Sequence, residues 1–124
     1  MTSIVYEREL PCFLAWPRRN PIPAHPNIHT DDDAAQAAGF KKVIMSSSQL
    51  VAHIHQALVD LFGIERYYGG VTLSYKMVSP LEVPGIARVV VESIEGSSEL
   101  AVRIEDENGK PCIVGSAALA FKEK

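Results

Sequence analysis

Four histidines (His25, His29, His53 and His55) and the run Ser46-Ser47-Ser48 are the residues of this 124-residue chain best suited to moving protons or holding a developing charge. His29 leads, because an imidazole with an ordinary pKa of about 6.5 exchanges protons near neutrality. His25, on the same stretch, is the second candidate proton carrier. Asp31 and Asp33 can orient His29 by accepting from its ring N–H. Acidic residues at the opening of DDDAAQAA are explained equally well by capping and the helix dipole, and capping is the favoured reading. No G-x-S-x-G elbow surrounds the three serines, so they are poor nucleophiles. Their better role is a helix cap whose backbone N–H groups face an oxygen gaining charge. His53 and His55, two apart on a helix, point about 200° away from each other and cannot share a metal as an i, i+4 pair would. No metal site is expected. His55 reads as a satisfied packing histidine, and His53 as a residue at a subunit boundary.

These residues need elements to place them. Ile4 to Leu14 reads as one extended segment. The loop WPRRNPIPAHPN follows, where Pro17, Pro21, Pro23 and Pro26 remove backbone donors and exclude a helix. Thr30 or Asp31 caps a short helix through DDDAAQAA, and Gly39 supplies its left-handed stop. The one long helix starts at Ser47 or Ser48 and ends at Gly63. Leu50, Ile54, Ala57, Leu58, Leu61 and Phe62 recur at its helical spacing, and fifteen or so residues make a rod of roughly 22 Å. Its other face is only mildly polar, which predicts cover by a sheet or a second subunit.

Beyond Gly63 the period becomes 2. Gly69-Gly70 marks a bend or bulge. Val71, Leu73, Tyr75 and Met77 alternate with Thr72, Ser74 and Lys76; further strands run from Gly85 to Glu95, Glu99 to Glu107 and Pro111 to Lys122. Asn108-Gly109 predicts a type I′ hairpin, whose two central residues need positive φ. The last strand, apolar on both faces, belongs inside the sheet. One helix, an antiparallel meander of four strands and an N-terminal strand able to join it define an α+β domain, a sheet curled round one helix.

Composition narrows the function classes. With 12 Lys+Arg against 15 Asp+Glu, a net charge of −3 and 47% hydrophobic residues, the chain reads as one soluble domain over residues 1–124. No apolar run approaches the ~20 residues of a membrane span, and no basic stripe with interleaved aromatics suits a nucleic acid. Cys12 and Cys112 lack CxxC spacing, and MTSIVYERELP lacks a basic-then-apolar leader, so free thiols in a reducing cytoplasm are expected.

The piece NIHTDDDAAQAAGFKKVI, Asn27 to Ile44, resembles the MaoC-like (R)-specific enoyl-CoA hydratase and dehydratase family. That family's motif reads roughly G-D-x-N-P-[LIV]-H-x-D, then an Ala-rich turn and Gly-Phe; Ile28, His29, Asp31, Ala35, Gly39, Phe40 and Ile44 fit it. A long helix and the strand Val71 to Leu81 match the family's next elements, so the resemblance spans about Asn27 to Phe121. It implies a hotdog fold, with subunits associating side by side into one continuous sheet as homodimers or as heteromers with another hotdog chain. It implies an enoyl or 3-hydroxyacyl thioester on coenzyme A or phosphopantetheine, with no further cofactor. His29 falls on the family's catalytic imidazole, and the backbone amides of Ser47 and Ser48 fall on its oxyanion hole.

Two departures touch the chemistry. Where the family has an Asp five residues before the His, this chain has Ala24, although His25 is the next residue. The family's His-Gly-Met at the helix start is Ser46-Ser47-Ser48. The resemblance therefore implies a hydratase or dehydratase, a one-base variant, or a half-catalytic subunit of a heteromer. A hotdog thioesterase is a further alternative, with Asp60 or Glu65 as its carboxylate. Arg18, Arg19, Lys41 and Lys42 are basic pairs able to attract the carrier's phosphates. Phe13 and Trp16 are placed to close the end of the barrel.

Overall fold

The computed structural model describes residues 2–12, 32–45 and 47–119. The elements in chain order are β1 (Thr2–Cys12), α1 (Asp32–Ala37), α2 (Ser47–Phe62), α3 (Ile64–Tyr68), β2 (Val71–Met77), β3 (Gly85–Ile94), β4 (Leu100–Glu105) and β5 (Pro111–Leu119). The α+β expectation holds: one five-stranded sheet packs on one long helix.

The helical period places Leu50, Val51, Ile54, Ala57 and Leu58 of α2 in the core. They meet Ala87, Val89 and Val91 of β3, Val102 and Ile104 of β4, and Ile113 and Ala117 of β5. Each fully buried aliphatic side chain contributes about 1.5–3 kcal/mol of transfer free energy. Gly63 takes the predicted left-handed stop at φ 85° and Gly39 at φ 97°. Sequence reading did not anticipate α3, and the Gly69-Gly70 pair ends that helix rather than bulging a strand; the Gly69 N–H donates to Glu65 O and Arg66 O.

The four-strand meander is corrected. Strand order is β1-β3-β4-β5-β2, so only β3, β4 and β5 follow one another, and β2 pairs with β5 at the far edge. Periodicity yields strands but not neighbours, and here the connection from Val78 to Pro84 carries the chain across the end of the sheet. Val78 N–H donates to Cys112 O at 2.8 Å as it leaves β2. Gly115 allows β2 its close approach: a Cβ there would stand 2.1 Å from the Ser74 carbonyl oxygen.

The β4–β5 turn is also corrected. Only Gly109, at φ 81°, has positive φ; Asn108 does not, so the turn is not type I′. Gly109 N–H donates to Asp106 O at 3.0 Å, and the Asp106 carboxylate accepts from the Asn108 and Lys110 N–H groups, both at 2.9 Å. An Asx-type turn with one left-handed glycine replaces the two-residue hairpin because the aspartate side chain offers the backbone a competing acceptor.

On the outer face, Glu7, Arg88, Glu105, Arg103 and Glu92 form one ionic ladder across β1, β3 and β4. Val90 lies in register between Glu7 and Arg103 and is 0% exposed. The apolar stems of charged residues on either side cover it.

Candidate active site

The segment leading into α2 is fixed by a short antiparallel pairing. Met45 N–H donates to Leu81 O and Val83 N–H to Val43 O, both at 2.8 Å, around a bridge between Ile44 and Glu82. Val43, Ile44, Met45, Leu81 and Val83 are all buried, so hydrophobic burial holds this strap where the hydrogen bonds align it. The strap delivers the chain to Ser47, where α2 begins.

Beside it lies a cavity of about 330 Å³. Three segments build it: 39–42, 80–86 and the turn 106–110. Lys41, Lys42 and Lys110 bring ammonium groups, and Glu82, Asp106 and Glu107 bring carboxylates. Lys42 Nζ donates to Pro84 O at 3.5 Å. Sequence reading singled out Lys41 and Lys42 and missed Lys110 and Glu82. The only signal for Lys110 was its place beside the Asn108-Gly109 turn, and nothing local told which segments that turn would face.

Ser47 and Ser48 are the first two residues of α2. His29, His25 and Asp31 lie outside the described residues, as do Ala24, Ser46 and the residues at 13, 16, 18 and 19. Asp33 is exposed on α1.

The helix histidines separate as their spacing required. His55 Nδ1 meets the Tyr67 hydroxyl at 2.8 Å, and the two rings stand edge to face, which satisfies His55 between α2 and α3. His53 is half-buried on α2, and burial, with Arg8 adding to it, pushes its imidazole below the usual range. Asp60 accepts from the Tyr6 hydroxyl at 2.8 Å and from Gln56 Nε2 at 3.0 Å. The Tyr6 hydrogen bond, then that of Gln56, holds its carboxyl below the usual range. Both oxygens of Asp60 are thus engaged, thirteen residues and roughly 20 Å along the rod from Ser47. Glu65 sits exposed on α3 beyond that same end.

Cys12 and Cys112 are buried free thiols, each pushed up in pKa chiefly by burial, which keeps them protonated and unreactive. Among the described residues no group of three or more metal-ligating side chains converges. No helix of the described residues is long and apolar enough to cross a membrane.

No protein-family model matches the sequence, and no curated protein does. Solved structures do match. The unliganded (R)-hydratase PhaJ1 from Pseudomonas aeruginosa is similar over 100% of this chain and 81% of its own, with a TM-score of 0.66 and 17% identity. A MaoC-like dehydratase from Phytophthora capsici reaches a TM-score of 0.75 at 14% identity, over 97% of this chain and 41% of its own. The ChsH1-ChsH2 complex from Mycobacterium tuberculosis gives 0.67 at 12% identity, over 97% of this chain and 96% of that one. The chain has the hotdog fold, in the form shared with (R)-hydratases and MaoC-like dehydratases.

Proposed function

We propose that this chain works on acyl thioesters as a hydratase or dehydratase of the MaoC-like kind, on an enoyl or 3-hydroxyacyl group carried by coenzyme A or phosphopantetheine. The observation carrying this reading is the likeness to an (R)-hydratase along the whole chain. Fold alone does not make an activity, so the reading also rests on the residues. His29 is the acid/base, moving the proton at the thioester α-carbon. The Ser47 and Ser48 amides, at the start of a sixteen-residue helix that packs one face into the core, hold the enolate oxygen. Backbone amides act whatever their side chains, so the loss of His-Gly-Met leaves this part intact. General acid/base catalysis supplies about 10²–10⁴-fold and one oxyanion donor about 3 kcal/mol.

Ala24 removes the family's second proton carrier. His25 replaces it, with Asp31 as a supporting residue, or a partner chain supplies it. The second reading, a half-catalytic subunit of a heteromer, is favoured by Ala24 and by the similarity to a chain of the two-component ChsH1-ChsH2 complex. Association through β2, with a second copy or another hotdog chain, fits the contrast between the sheet's edges. Among the described residues β2 pairs on one side only and exposes Tyr75 (44%) and Met77 (37%), whereas β1, the other edge, carries Glu7, Arg8, Glu9 and Pro11, which blunt an edge, beyond its exposed Ile4 and Val5. Thioester hydrolysis is disfavoured, since Asp60 and Glu65 lie at the far end of the rod.

The test is hydration of a 2-enoyl-CoA by the purified chain, followed by loss of the conjugated thioester absorbance, in wild type and His29→Ala. Activity falling at least 100-fold in the variant supports catalysis by this chain. Activity that appears only with a co-purifying hotdog partner supports the subunit reading, and activity unchanged in His29→Ala refutes the assigned acid/base.

A further inference from the structure

We propose that Gly85 is a positioning residue for the reaction: the room it leaves for the Glu82 carbonyl keeps segment 81–83 seated on residues 43–45 and so fixes the place of the Ser47 and Ser48 amides. This rests on the acyl-thioester reading. Gly85 opens β3 and does not take positive φ, so what demands a glycine there is space and not a left-handed backbone. A Cβ would stand 2.7 Å from the Glu82 carbonyl oxygen, a backbone atom that cannot rotate away as the tip of a side chain would. Glu82 is in turn the bridge partner of Ile44, and its neighbours Leu81 and Val83 are hydrogen-bonded to Met45 and Val43, both at 2.8 Å. Met45 lies two residues before Ser47, where α2 begins. One carbonyl thus connects the first residue of a strand to the helix start where the enolate oxygen is held.

Which side yields to an added methyl group follows from how each is held. Gly85 sits in register with Cys12 in the antiparallel ladder that β1 and β3 form from Thr2 to Cys12, and Ala87 and Val89 of the same strand are buried in the core. Segment 81–83 is joined to 43–45 by two hydrogen bonds around a single bridge, so the shift falls on it. Leu81, Val83 and Met45 are buried, and a close-packed interior passes a displacement on rather than absorbing it. An oxyanion donor acts by its placement: removing one costs about 10²–10³-fold in kcat, and moving a reacting group by ~1 Å costs about 10²-fold. An interaction made with the enolate and not with the bound substrate lowers kcat and kcat/KM together and leaves KM in place. Lost stability has a different signature, fewer folded molecules with kcat per folded molecule unchanged.

Proton–nitrogen correlation NMR of the full chain, with hydration of a 2-enoyl-CoA followed beside it, tests this in wild type, Gly85→Ala and Val90→Ala. Val90, buried on the outer face of the same strand, is the comparison for lost stability alone. The proposal expects the Met45, Ser47 and Ser48 amide signals to shift in Gly85→Ala and the Met45 N–H to exchange faster than in wild type. It expects kcat to fall roughly ten- to hundredfold with KM within about threefold. Val90→Ala should lower the urea midpoint and leave those signals and kcat as they are. If Gly85→Ala does not fold, Val83→Ala, which loosens the same segment from its burial, carries the same readouts. Unmoved Met45, Ser47 and Ser48 signals overturn the proposal, as does a kcat unchanged while they move, or one that falls equally in Val90→Ala. Those results leave the acyl-thioester reading standing, because wild type turns over in each. No turnover by wild type, alone or with a hotdog partner, removes that reading and the positioning role with it, even where the signals shift.

Discussion

Gly115 and Gly109 are both glycine, and for different reasons. At Gly115 the obstacle is space: a Cβ would lie 2.1 Å from Ser74 O and 2.8 Å from Tyr75 Cα, both backbone atoms that cannot swing away. Gly115→Ala is therefore expected to lose about 1–3 kcal/mol or more by urea unfolding, with the β2–β5 pairing opening first in hydrogen exchange. At Gly109 there is open space but φ is 81°, so Gly109→Ala costs the left-handed penalty of about 1–2 kcal/mol in the same measurement. The sequence marked Asn108-Gly109 as a turn but misjudged its type, because the side chain deciding it, Asp106, lies two residues before the dipeptide. Of the site residues, Lys41 and Lys42 were legible as charges, whereas Lys110 and Glu82 became members of a site only through tertiary contact.

At the scale of elements, α2 was legible nearly residue for residue, since a core-facing helix writes its burial as a 3.6 period. Ile54 is fully buried against the sheet, and Ile54→Ala is expected to cost about 2–5 kcal/mol in chemical unfolding. The order of the strands was not legible, because alternation fixes which face a strand buries and leaves open which strand lies beside it. The outer ladder adds a pH dependence. Glu105 is held below the usual carboxylate range first by its hydrogen bond from Arg103, and Glu92 by those from Thr2 and Arg103. A carboxyl more acidic in the folded state than in the unfolded one stabilises the fold above its unfolded pKa, and that gain is lost as pH falls through the folded value. Stability is thus expected to be retained at neutral pH and to decline below about pH 4.5, the ordinary glutamate value. Urea midpoints measured from pH 7 to pH 3 should show a shallower acid decline in Glu105→Gln than in wild type. Equal slopes would remove the ladder as the cause.

For the molecule as a whole, one edge strand of the sheet carries charge and proline, and the other, β2, pairs on one side only among the described residues. If copies or partners join through β2, Tyr75→Glu with Met77→Glu should raise the monomer fraction in sedimentation velocity while leaving far-UV circular dichroism unchanged. The same pair of substitutions in β1, Ile4→Glu with Val5→Glu, should leave the association state as it is. The hotdog fold was readable from the Asn27 to Ile44 motif together with one long helix and its strands, and the structural likeness bears it out. The chemistry is a separate matter, since Ala24 stands where a proton carrier would, and no periodicity reveals what replaces it.

The claim on which the rest turns is that His29 moves a proton at the α-carbon of a thioester. Proton NMR of a 3-hydroxyacyl-CoA incubated with the chain in deuterium oxide reads that step directly, even where net hydration is slow. The account predicts deuterium entering C2 with wild type and no incorporation above background with His29→Ala. Incorporation at the same rate in both proteins would contradict it.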